Sequence, residues 1–303
     1  MEYFLAIADF KSFSRASLRI SVAQPVLSRQ IKALEQELGV ALYHRTGHGV
    51  VLSEAGKRFE QYARGILDTA AAAKKELAAL GSEPSGRVLI GMPPSVQAVL
   101  AAPLVEKFQN AFPHVSLGIM EGFSGHVQEW LMTGRLDIAI LYHTRYNGML
   151  ASDPLLTDEL FLLGPINDPA RAGEGPIRAS NLRSIPLILP NRPHGLRILI
   201  DEYLDKAGVT PNIQLEMDAM SSTLSLIEHG VGYYTILSYS SAHELITSRR
   251  IRYWKIVEPT ITRSLVVASS TQRPSTKASR DLMIYVRQLV QQLVEQGRWS
   301  PPA

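Results

Sequence analysis

Hydrogen-bonding and cationic side chains gather at the front of one predicted helix, in the segment SVAQPVLSRQIKALEQELG. The apolar residues of this segment recur at steps of four, three and four, as on a buried helix face: Leu27, Ile31, Leu34 and Leu38. The opposite side carries amide, hydroxyl and cationic groups in its first turns: Gln24, Ser28, Arg29 and Lys32. Glutamine forms a bidentate pair with adenine, and arginine or lysine binds guanine or phosphate. The pattern favours contact with DNA, although a solvated face explains the same residues.

The elements on either side of this segment predict a winged helix-turn-helix. Two short helical patterns precede it, and Pro25 is tolerated because the first turn of a helix has N–H groups without partners. Gly39 ends the helix, and the acidic Glu35 and Glu37 near its end are interpreted as ordinary solvation. The following stretch, YHRTGHGVVLSEAG, places glycines among basic residues and is interpreted as a tight hairpin.

The basic excess of the chain lies entirely in its first part. Of the 303 residues, those at positions 1 to 58 include eight Lys and Arg against five acids, and the rest include 23 of each sign. A local excess of positive charge is the footprint of a phosphate-backbone binder. The chain has no cysteine, which excludes disulfides, thiolate metal sites and cysteine nucleophiles.

A long alanine-rich helix is predicted from residue 53 to residue 80. Its apolar positions alternate steps of four and three and form a heptad seam: Phe59, Ala63, Ile66, Ala70, Ala73, Leu77 and Leu80. Such a seam usually pairs with a second copy of itself, so these positions are predicted to form a dimer interface. The alternative is that the seam packs on the protein's own surface.

The remainder of the chain alternates short β-rich runs with amphipathic helices, the pattern of an α/β domain with parallel strands. The clearest predicted strands are RVLIGM, VSLGIME, DIAILY, IPLILP, IQLEM, GYYTIL and SLVVAS. The β-helix-β rhythm occurs once in residues 87–142 and again in residues 185–238. Two similar lobes facing each other would account for this repetition.

Several serines of this region come where a strand ends and a helix begins: Ser95, Ser124, and Ser221 or Ser222. Helix N-termini offer free N–H groups and a partial positive charge, which suit an anion. The loop LPNRPHGLR adds basic side chains after another strand: Arg192, His194 and Arg197. Each serine alone is explained as a simple helix cap. Together these residues predict a cleft for a small anionic metabolite.

Two long stretches resemble the LysR-type transcriptional regulators. The first is SFSRASLRISVAQPVLSRQIKALEQELGVALYHRTGHGVVLSEAG, and the second is GFSGHVQEWLMTGRLDIAILY. The resemblance implies an α/β protein with a mostly α-helical winged helix-turn-helix at residues 1–58 and a linker helix and hinge at residues 59–86. It also implies an effector-binding domain at residues 87–303, similar to the periplasmic binding proteins. Its first lobe would span residues 87–162 and 266–303, and its second lobe residues 163–265.

The resemblance also implies the partners of the chain. Gln24, Pro25, Ser28, Arg29 and Lys32 would contact the major groove and the DNA backbone, with a wing formed by three further residues: Arg45, Thr46 and His48. Two chains would bind an interrupted palindromic operator, tetramers and contact with RNA polymerase are typical of the family, and the protein would act in the cytoplasm. No cofactor and no membrane partner is expected. The sequence departs from the family pattern at Lys11, where a turn glycine is common, and at Ala23, where serine or threonine is usual.

Two other classes of protein were weighed. An enzyme is disfavoured because Ser124 in GFSGH lacks the second glycine of a nucleophile elbow, and His126 has no second histidine at metal-binding spacing. A small-molecule binding or transport protein without DNA binding is the other alternative. The N-terminal stretch has no basic region before its apolar run and is a poor signal peptide, which counts against transport.

Overall fold

A computed structural model describes residues 1–46, 49–78, 85–142, 148–168 and 172–301. The chain divides into two compact units. The first unit comprises Met1–Glu83 with Met132–Leu136, and the second comprises Pro84–Leu131 with Asp137–Ala303. Among the helices that the structure describes, none combines the length and apolar character needed to cross a bilayer.

The first unit is a helical domain with a small hairpin. Its elements are α1 Glu2–Phe10, α2 Phe13–Ile20, α3 Gln24–Leu38, β1 Tyr43–Thr46, β2 Gly49–Leu52 and α4 Glu54–Ala78. β1 and β2 pair antiparallel, with Arg45 opposite Val50 and Thr46 opposite Gly49. The order of helices followed by a two-stranded wing confirms the winged helix-turn-helix predicted from the sequence.

The core of this unit is built by α1, α3 and α4. Phe4, Leu27 and Ile31 are buried, and the Phe4 ring meets the Phe59 ring edge to face at a centroid distance of 4.9 Å. The predicted apolar face of α3 therefore packs inward over its first turns. It does not extend to the end of the helix, because Leu38 is 42% exposed.

Glu35 has a structural role that the sequence analysis missed. Its Oε1 accepts hydrogen bonds from the backbone N–H groups of Leu42 (2.7 Å) and Tyr43 (3.3 Å), just after the end of α3. The Tyr43 hydroxyl in turn donates to the carbonyl of Phe4 at 2.6 Å. Glu35 is therefore not simply a solvated surface acid, because it fixes the start of the wing against α3.

Lys11 ends α1 in the left-handed region, with φ of 49°. This conformation explains why a glycine is common at the position in the family, because L-residues other than glycine adopt it at a cost. Val50 donates its N–H to the Lys11 carbonyl at 3.2 Å, so the turn also holds the second strand of the wing.

The seam of α4 serves two purposes, which corrects part of the dimer prediction. Phe59 packs against the buried core of the first unit and Ala63 belongs to it, because these positions face α1. Further along the helix, Ile66 is 48% exposed and Ala70 is exposed. The side chains of Ala73 and Leu77, and residue Leu80 entirely, lie outside what the structure describes.

The second unit alternates strands and helices. Its strands are β3 Gly86–Met92, β4 Val115–Glu121, β5 Ile138–Tyr142, β6 Leu150–Pro165, β7 Ile177–Arg178, β8 Leu187–Leu189, β9 Ile213–Glu216, β10 Tyr234–Ser238, β11 Ile251–Val257 and β12 Thr262–Ser270. Its helices are α5 Pro94–Ala111, α6 Ser124–Thr133, α7 Gly195–Lys206, α8 Met220–Glu228, α9 His243–Thr247 and α10 Lys277–Glu295. All seven predicted strands are present, whereas β6, β7 and β11 were not predicted.

The strands form two lobes of the same topology. In the first lobe the order is β4-β3-β5-β12, with β3 parallel to β4 and β5, and β12 antiparallel to β5. In the second lobe the order is β9-β8-β10-β6, with β8 parallel to β9 and β10, and β6 antiparallel to β10. The two similar lobes expected from the repeated β-helix-β rhythm are confirmed.

The long strand β6 belongs to both lobes. Its first part pairs with β12 as far as Glu159, opposite Thr262, and its last part pairs with β10 from Leu160, opposite Ser238. The Leu160 N–H donates to the Ile261 carbonyl at this crossing, at 2.9 Å. The change of partner comes three residues before the lobe boundary expected at residue 162, because a single strand continues through the crossing.

We expect Glu35→Ala to destabilise the first unit by about 1–3 kcal/mol, because two backbone N–H groups lose their acceptor. Chemical denaturation followed by circular dichroism of the full chain would measure the loss. Glu37→Ala, an exposed position on the same helix, is the matched control and should change stability little. Equal effects of the two substitutions would contradict the role assigned to Glu35.

Candidate DNA-reading helix and effector cleft

The front of α3 presents a polar face to solvent. Gln24, Pro25, Arg29 and Lys32 are exposed, and Ser28 is half-buried. The helix begins at Gln24, directly after Ala23, whose side chain makes no capping hydrogen bond. The structure thus brings the five predicted residues together at the front of α3, beside the face that buries Leu27 and Ile31.

Gln24 is held in place from the preceding helix. The Ser14 hydroxyl donates to its Oε1 at 3.0 Å, across the turn between α2 and α3. An amide oxygen has two lone pairs, so this oxygen is able to accept a second hydrogen bond while the amide nitrogen donates. That combination of acceptor and donor is what a bidentate contact with adenine needs. Ser14 was not among the predicted site residues.

Two cations of α4 form ion pairs, Lys57 and Arg64, whereas the exposed cations of α2 and α3 do not. Arg64 binds Asp9 and Glu60, and Lys57 binds Glu54 at 2.5 Å. In the described structure the exposed cations of α2 and α3 have no ion-pair partner: Arg15, Arg19, Arg29 and Lys32. Unpaired guanidinium and ammonium groups on the outer surface are available to phosphate. Arg15 and Arg19 were not among the predicted site residues, and their helical spacing of four was the signal for them.

The predicted wing residues are only partly described. Arg45 and Thr46 end β1, but their side chains lie outside what the structure describes, as does the whole of His48. The backbone places Arg45 and Thr46 at the tip of the hairpin, opposite the start of β2. Their contact with DNA remains a prediction.

A cleft of about 740 Å³ lies between the two lobes of the second unit. Ser95, in the first turn of α5, and Ser124, at the start of α6, line it from the first lobe. Arg192 and His194 line it from the second lobe. The structure therefore brings together four of the predicted effector-binding residues.

Ser221 and Ser222 do not line the cleft, which corrects their prediction. Both are exposed, whereas their neighbours Met220 and Thr223 form part of the cleft wall. The reason is helical geometry: α8 begins at Met220, so residues three apart share the inner face and the two serines between them point outward. The Thr223 hydroxyl donates to the Ala219 carbonyl at 3.1 Å.

Arg263 on β12 was not predicted from the sequence, although it joins several groups of the cleft. Its side chain is buried and its Cζ lies 3.5 Å from the centroid of the Tyr142 ring. It donates through Nη2 to Asp158 (3.1 Å), to the Ser238 hydroxyl (3.1 Å) and to the Ser95 hydroxyl (3.5 Å). The guanidinium therefore links α5 of the first lobe with β10 of the second.

Burial is the largest influence on the pKa values of Asp158 and Tyr142, which surround Arg263. It raises the pKa of Asp158 above its usual range, and the neighbouring guanidinium opposes that shift. Burial also raises the pKa of Tyr142 to about 12, so this phenol stays protonated at neutral pH. The hydroxyls of Tyr142 and Ser95 lie 2.7 Å apart and share one hydrogen bond. Arg263, Asp158, Ser95, Ser238 and Tyr142 thus form one connected network at the floor of the cleft.

The basic side chains of the loop before α7 are already engaged. Arg192 donates to Asp201 through Nε at 2.9 Å and through Nη2 at 2.5 Å. Arg197 donates to Asp201 at 3.0 Å and to Glu216 at 2.6 Å. The loop thus supplies no uncompensated guanidinium to the cleft, although Arg192 does line it.

His194 caps α7 and contacts the opposite lobe. Its Nδ1 accepts a hydrogen bond from the Leu196 N–H at 3.1 Å, and its ring meets the Phe123 ring at 4.3 Å with an interplanar angle of 73°. Burial lowers the pKa of His194, and the Arg263 guanidinium adds to this, while Asp218 opposes it. The imidazole is therefore neutral when it caps the helix.

Because the pKa of His194 in the folded chain is lowered from its ordinary 6.5, the unfolded chain takes up a proton at a higher pH than the folded chain does. The stabilisation that the neutral cap gives the folded chain is therefore present above pH 6.5 and is lost as the pH falls below this value. We expect His194→Asn, which keeps a capping oxygen, to reduce the drop in melting temperature between pH 7.5 and pH 5.5, two conditions chosen about one pH unit on either side of the ordinary value. Differential scanning calorimetry of the full chain measures it. An unchanged pH dependence would contradict the role of the neutral cap, and His194→Ala should cost about 1 kcal/mol at the higher pH.

The chain matches two family models and many known regulators. Residues 1–57 match the model of bacterial regulatory helix-turn-helix proteins of the lysR family, and residues 81–291 match the LysR substrate binding domain. The nitrogen assimilation regulatory protein nac of Escherichia coli is 27% identical over 304 residues, which covers 99% of this chain and 97% of that protein.

Solved structures have the same fold. A full-length OxyR variant from Pseudomonas aeruginosa superposes with a TM-score of 0.70 at 23% identity, covering 95% of this chain and 92% of that chain. Full-length CbnR complexed with target DNA gives a TM-score of 0.66 at 20% identity, covering 94% of this chain and 97% of that chain. The chain belongs to the LysR family, and it is a DNA-binding transcriptional regulator with an effector-binding domain.

Proposed function

We propose that this regulator inserts the front of α3 into the major groove and that a small molecule in the cleft controls its DNA binding. The observation that carries the proposal is the exposed face formed by Gln24, Ser28, Arg29 and Lys32, whose cations have no ion-pair partner in the described structure. As a member of this family with DNA as its target, the protein would act in the bacterial cytoplasm and contact RNA polymerase at a promoter.

Binding rather than catalysis is the proposed role of the cleft. The Ser95 hydroxyl shares its hydrogen bond with Tyr142, a phenol whose raised pKa makes it a poor base at neutral pH. The carboxylate of Asp158 is bound to Arg263. A transport protein without DNA binding is the competing proposal, and it predicts no salt-dependent affinity for DNA.

The DNA-reading proposal is tested by comparing specific with non-specific binding. A cognate site would first be selected from a pool of random duplexes with the purified full chain. We expect Gln24→Ala to lose about 1–3 kcal/mol on that site and little on random DNA, because it removes a base contact. Arg45→Ala should weaken both, as a backbone contact does.

Fluorescence anisotropy at several salt concentrations would measure these affinities. Gln36→Ala, an exposed position near the end of the same helix, is the matched control and should bind like the parent protein. Equal losses for Gln24→Ala on the cognate site and on random DNA would remove this residue from base recognition.

We further propose that two chains pair through the outer part of α4. Phe59 and Ala63 are occupied by the chain's own core, so the free part of the seam begins at Ile66 and Ala70. Ala73 and Leu77 continue the same heptad spacing and are proposed to follow them into the interface. A pair of chains would present two recognition helices to an interrupted palindrome, and pairs could assemble further into tetramers.

Ile66→Asp should give monomers, because the change places an unpaired charge in the interface. Sedimentation velocity of the full chain would measure the oligomeric state. Ala71→Asp adds the same charge to an exposed position on another side of the helix and should leave the dimer intact. A dimer of unchanged stability for Ile66→Asp would exclude this part of the seam.

A further inference from the structure

The charges around the cleft indicate which effectors it accepts. We infer that the cleft binds an uncharged, largely apolar molecule with a hydrogen-bonding head group and discriminates against carboxylates. This inference rests on the proposed function, in which the cleft is the effector site. It differs from the anionic effector expected from the sequence, because that expectation counted the loop cations and helix N-termini but not the acids bound to those cations.

The buried cation of the cleft is already neutralised. Arg263 is 8% exposed and donates to Asp158, which is 4% exposed, through Nε at 3.2 Å and Nη2 at 3.1 Å. A ligand carboxylate placed on the same guanidinium would lie close to a second carboxylate that is shielded from water. Like charges at such a distance repel strongly when they are buried. Arg263 therefore suits a carbonyl or hydroxyl oxygen rather than an anion.

The other charged side chains around the cleft do not make it positive. Around the described part of the cleft, three guanidinium groups face five carboxylates: Arg192, Arg197 and Arg263 against Asp158, Asp201, Glu202, Glu216 and Asp218. Glu202 and Asp218 line the cleft directly and are exposed. In the lining itself, two guanidinium groups (Arg192 and Arg263) balance two carboxylates (Glu202 and Asp218), so an approaching anion would meet no net positive charge.

The remaining lining suits an apolar body with one polar end. Carbon-rich side chains form much of the wall: Phe123, Ile188, Leu196, Leu199, Met217 and Met220. Hydroxyl groups are placed among them, on Ser95, Ser124 and Thr235. The volume of about 740 Å³ is that of a typical small-molecule pocket. An aromatic or alicyclic amide, ester or alcohol matches this combination.

A panel of matched aromatic acid and primary amide pairs, headed by benzoate and benzamide, tests the inference on the full chain. Thermal shift and calorimetric titration would measure binding at neutral pH. We expect amides to bind at least about tenfold more tightly than their acids, an approximate factor that corresponds to about 1.4 kcal/mol. Asp158→Asn should reverse that order, because Arg263 then lacks its counter-charge. Asp158→Asn combined with Arg263→Gln should lose the gain in benzoate binding.

The inference is overturned if acids bind the parent protein more tightly than amides, if no amide of the panel binds, or if Asp158→Asn leaves the order unchanged. Should Asp158→Asn fail to fold, Glu202→Gln with Asp218→Asn provides the second test at two exposed positions. That double variant should bind benzoate roughly threefold more tightly at low salt, because two carboxylates are removed from the lining. No gain in benzoate affinity would also overturn the inference.

The same samples distinguish this inference from the proposed function. DNA affinity on the selected site would be measured with and without each bound compound. Acids that bind tightly and change DNA affinity would refute the charge preference and leave the proposed function standing. Bound compounds of either kind that leave DNA affinity unchanged would refute control by the cleft.

Discussion

The arrangement of the cleft depends on one buried ion pair, between Asp158 on β6 and Arg263 on β12. Removing either partner would leave the other as an unpaired buried charge, which typically destabilises a protein by about 3–5 kcal/mol. The pair also brings Ser95 and Ser238 to the same guanidinium, at 3.5 Å and 3.1 Å. The ion pair of Arg263 with Asp158 thus fixes the side chains at the floor of the cleft. The apolar wall surrounds this pair.

The DNA-binding end follows a different constraint, the division of α3 into an inner and an outer side. Leu27 and Ile31 pack one face of the helix into the core, while Gln24, Arg29 and Lys32 at its front stay exposed for contact with DNA. The Glu35 side chain at the back of α3 and the Lys11 carbonyl at the end of α1 then fix the wing by accepting hydrogen bonds from its backbone N–H groups. Base recognition requires such rigidity, because side chains have to meet base edges in a fixed register.

The fold was predictable to the extent that it follows from periodicity. The heptad spacing identified α4, and short β-rich runs between helical patterns identified seven strands of the second unit. β6 was missed because it carries Asp153, Pro154 and Asp158 within a strand, and those residues normally interrupt one. Single-sequence patterns do not show that an acid and a distant arginine will pair inside the protein.

The same limit applies to the candidate sites. Gln24 and its neighbours share one helix, so their spacing alone placed them on one face. The cleft instead assembles residues from strands and helices far apart in the chain, and Arg263 lies 105 residues from its partner Asp158. Ser221 and Ser222 were predicted to face the cleft but lie on the outer face of α8, because the exact first residue of this helix decides which side chains point inward. Tertiary pairing and exact helix starts were the information that the sequence did not contain.

The strand β6 has a mechanical consequence for the second unit. Because one continuous backbone pairs with β12 and then with β10 and β11, both lobes share a hydrogen-bonded ladder. Loss of structure in one lobe would free part of a strand that the other lobe also uses, so we expect the two lobes to unfold as one cooperative unit. Rotation of the lobes about the crossing at Glu159 and Leu160 would keep both ladders paired, whereas sliding would break the register on both sides. The shared strand thus restricts the lobes to few modes of motion.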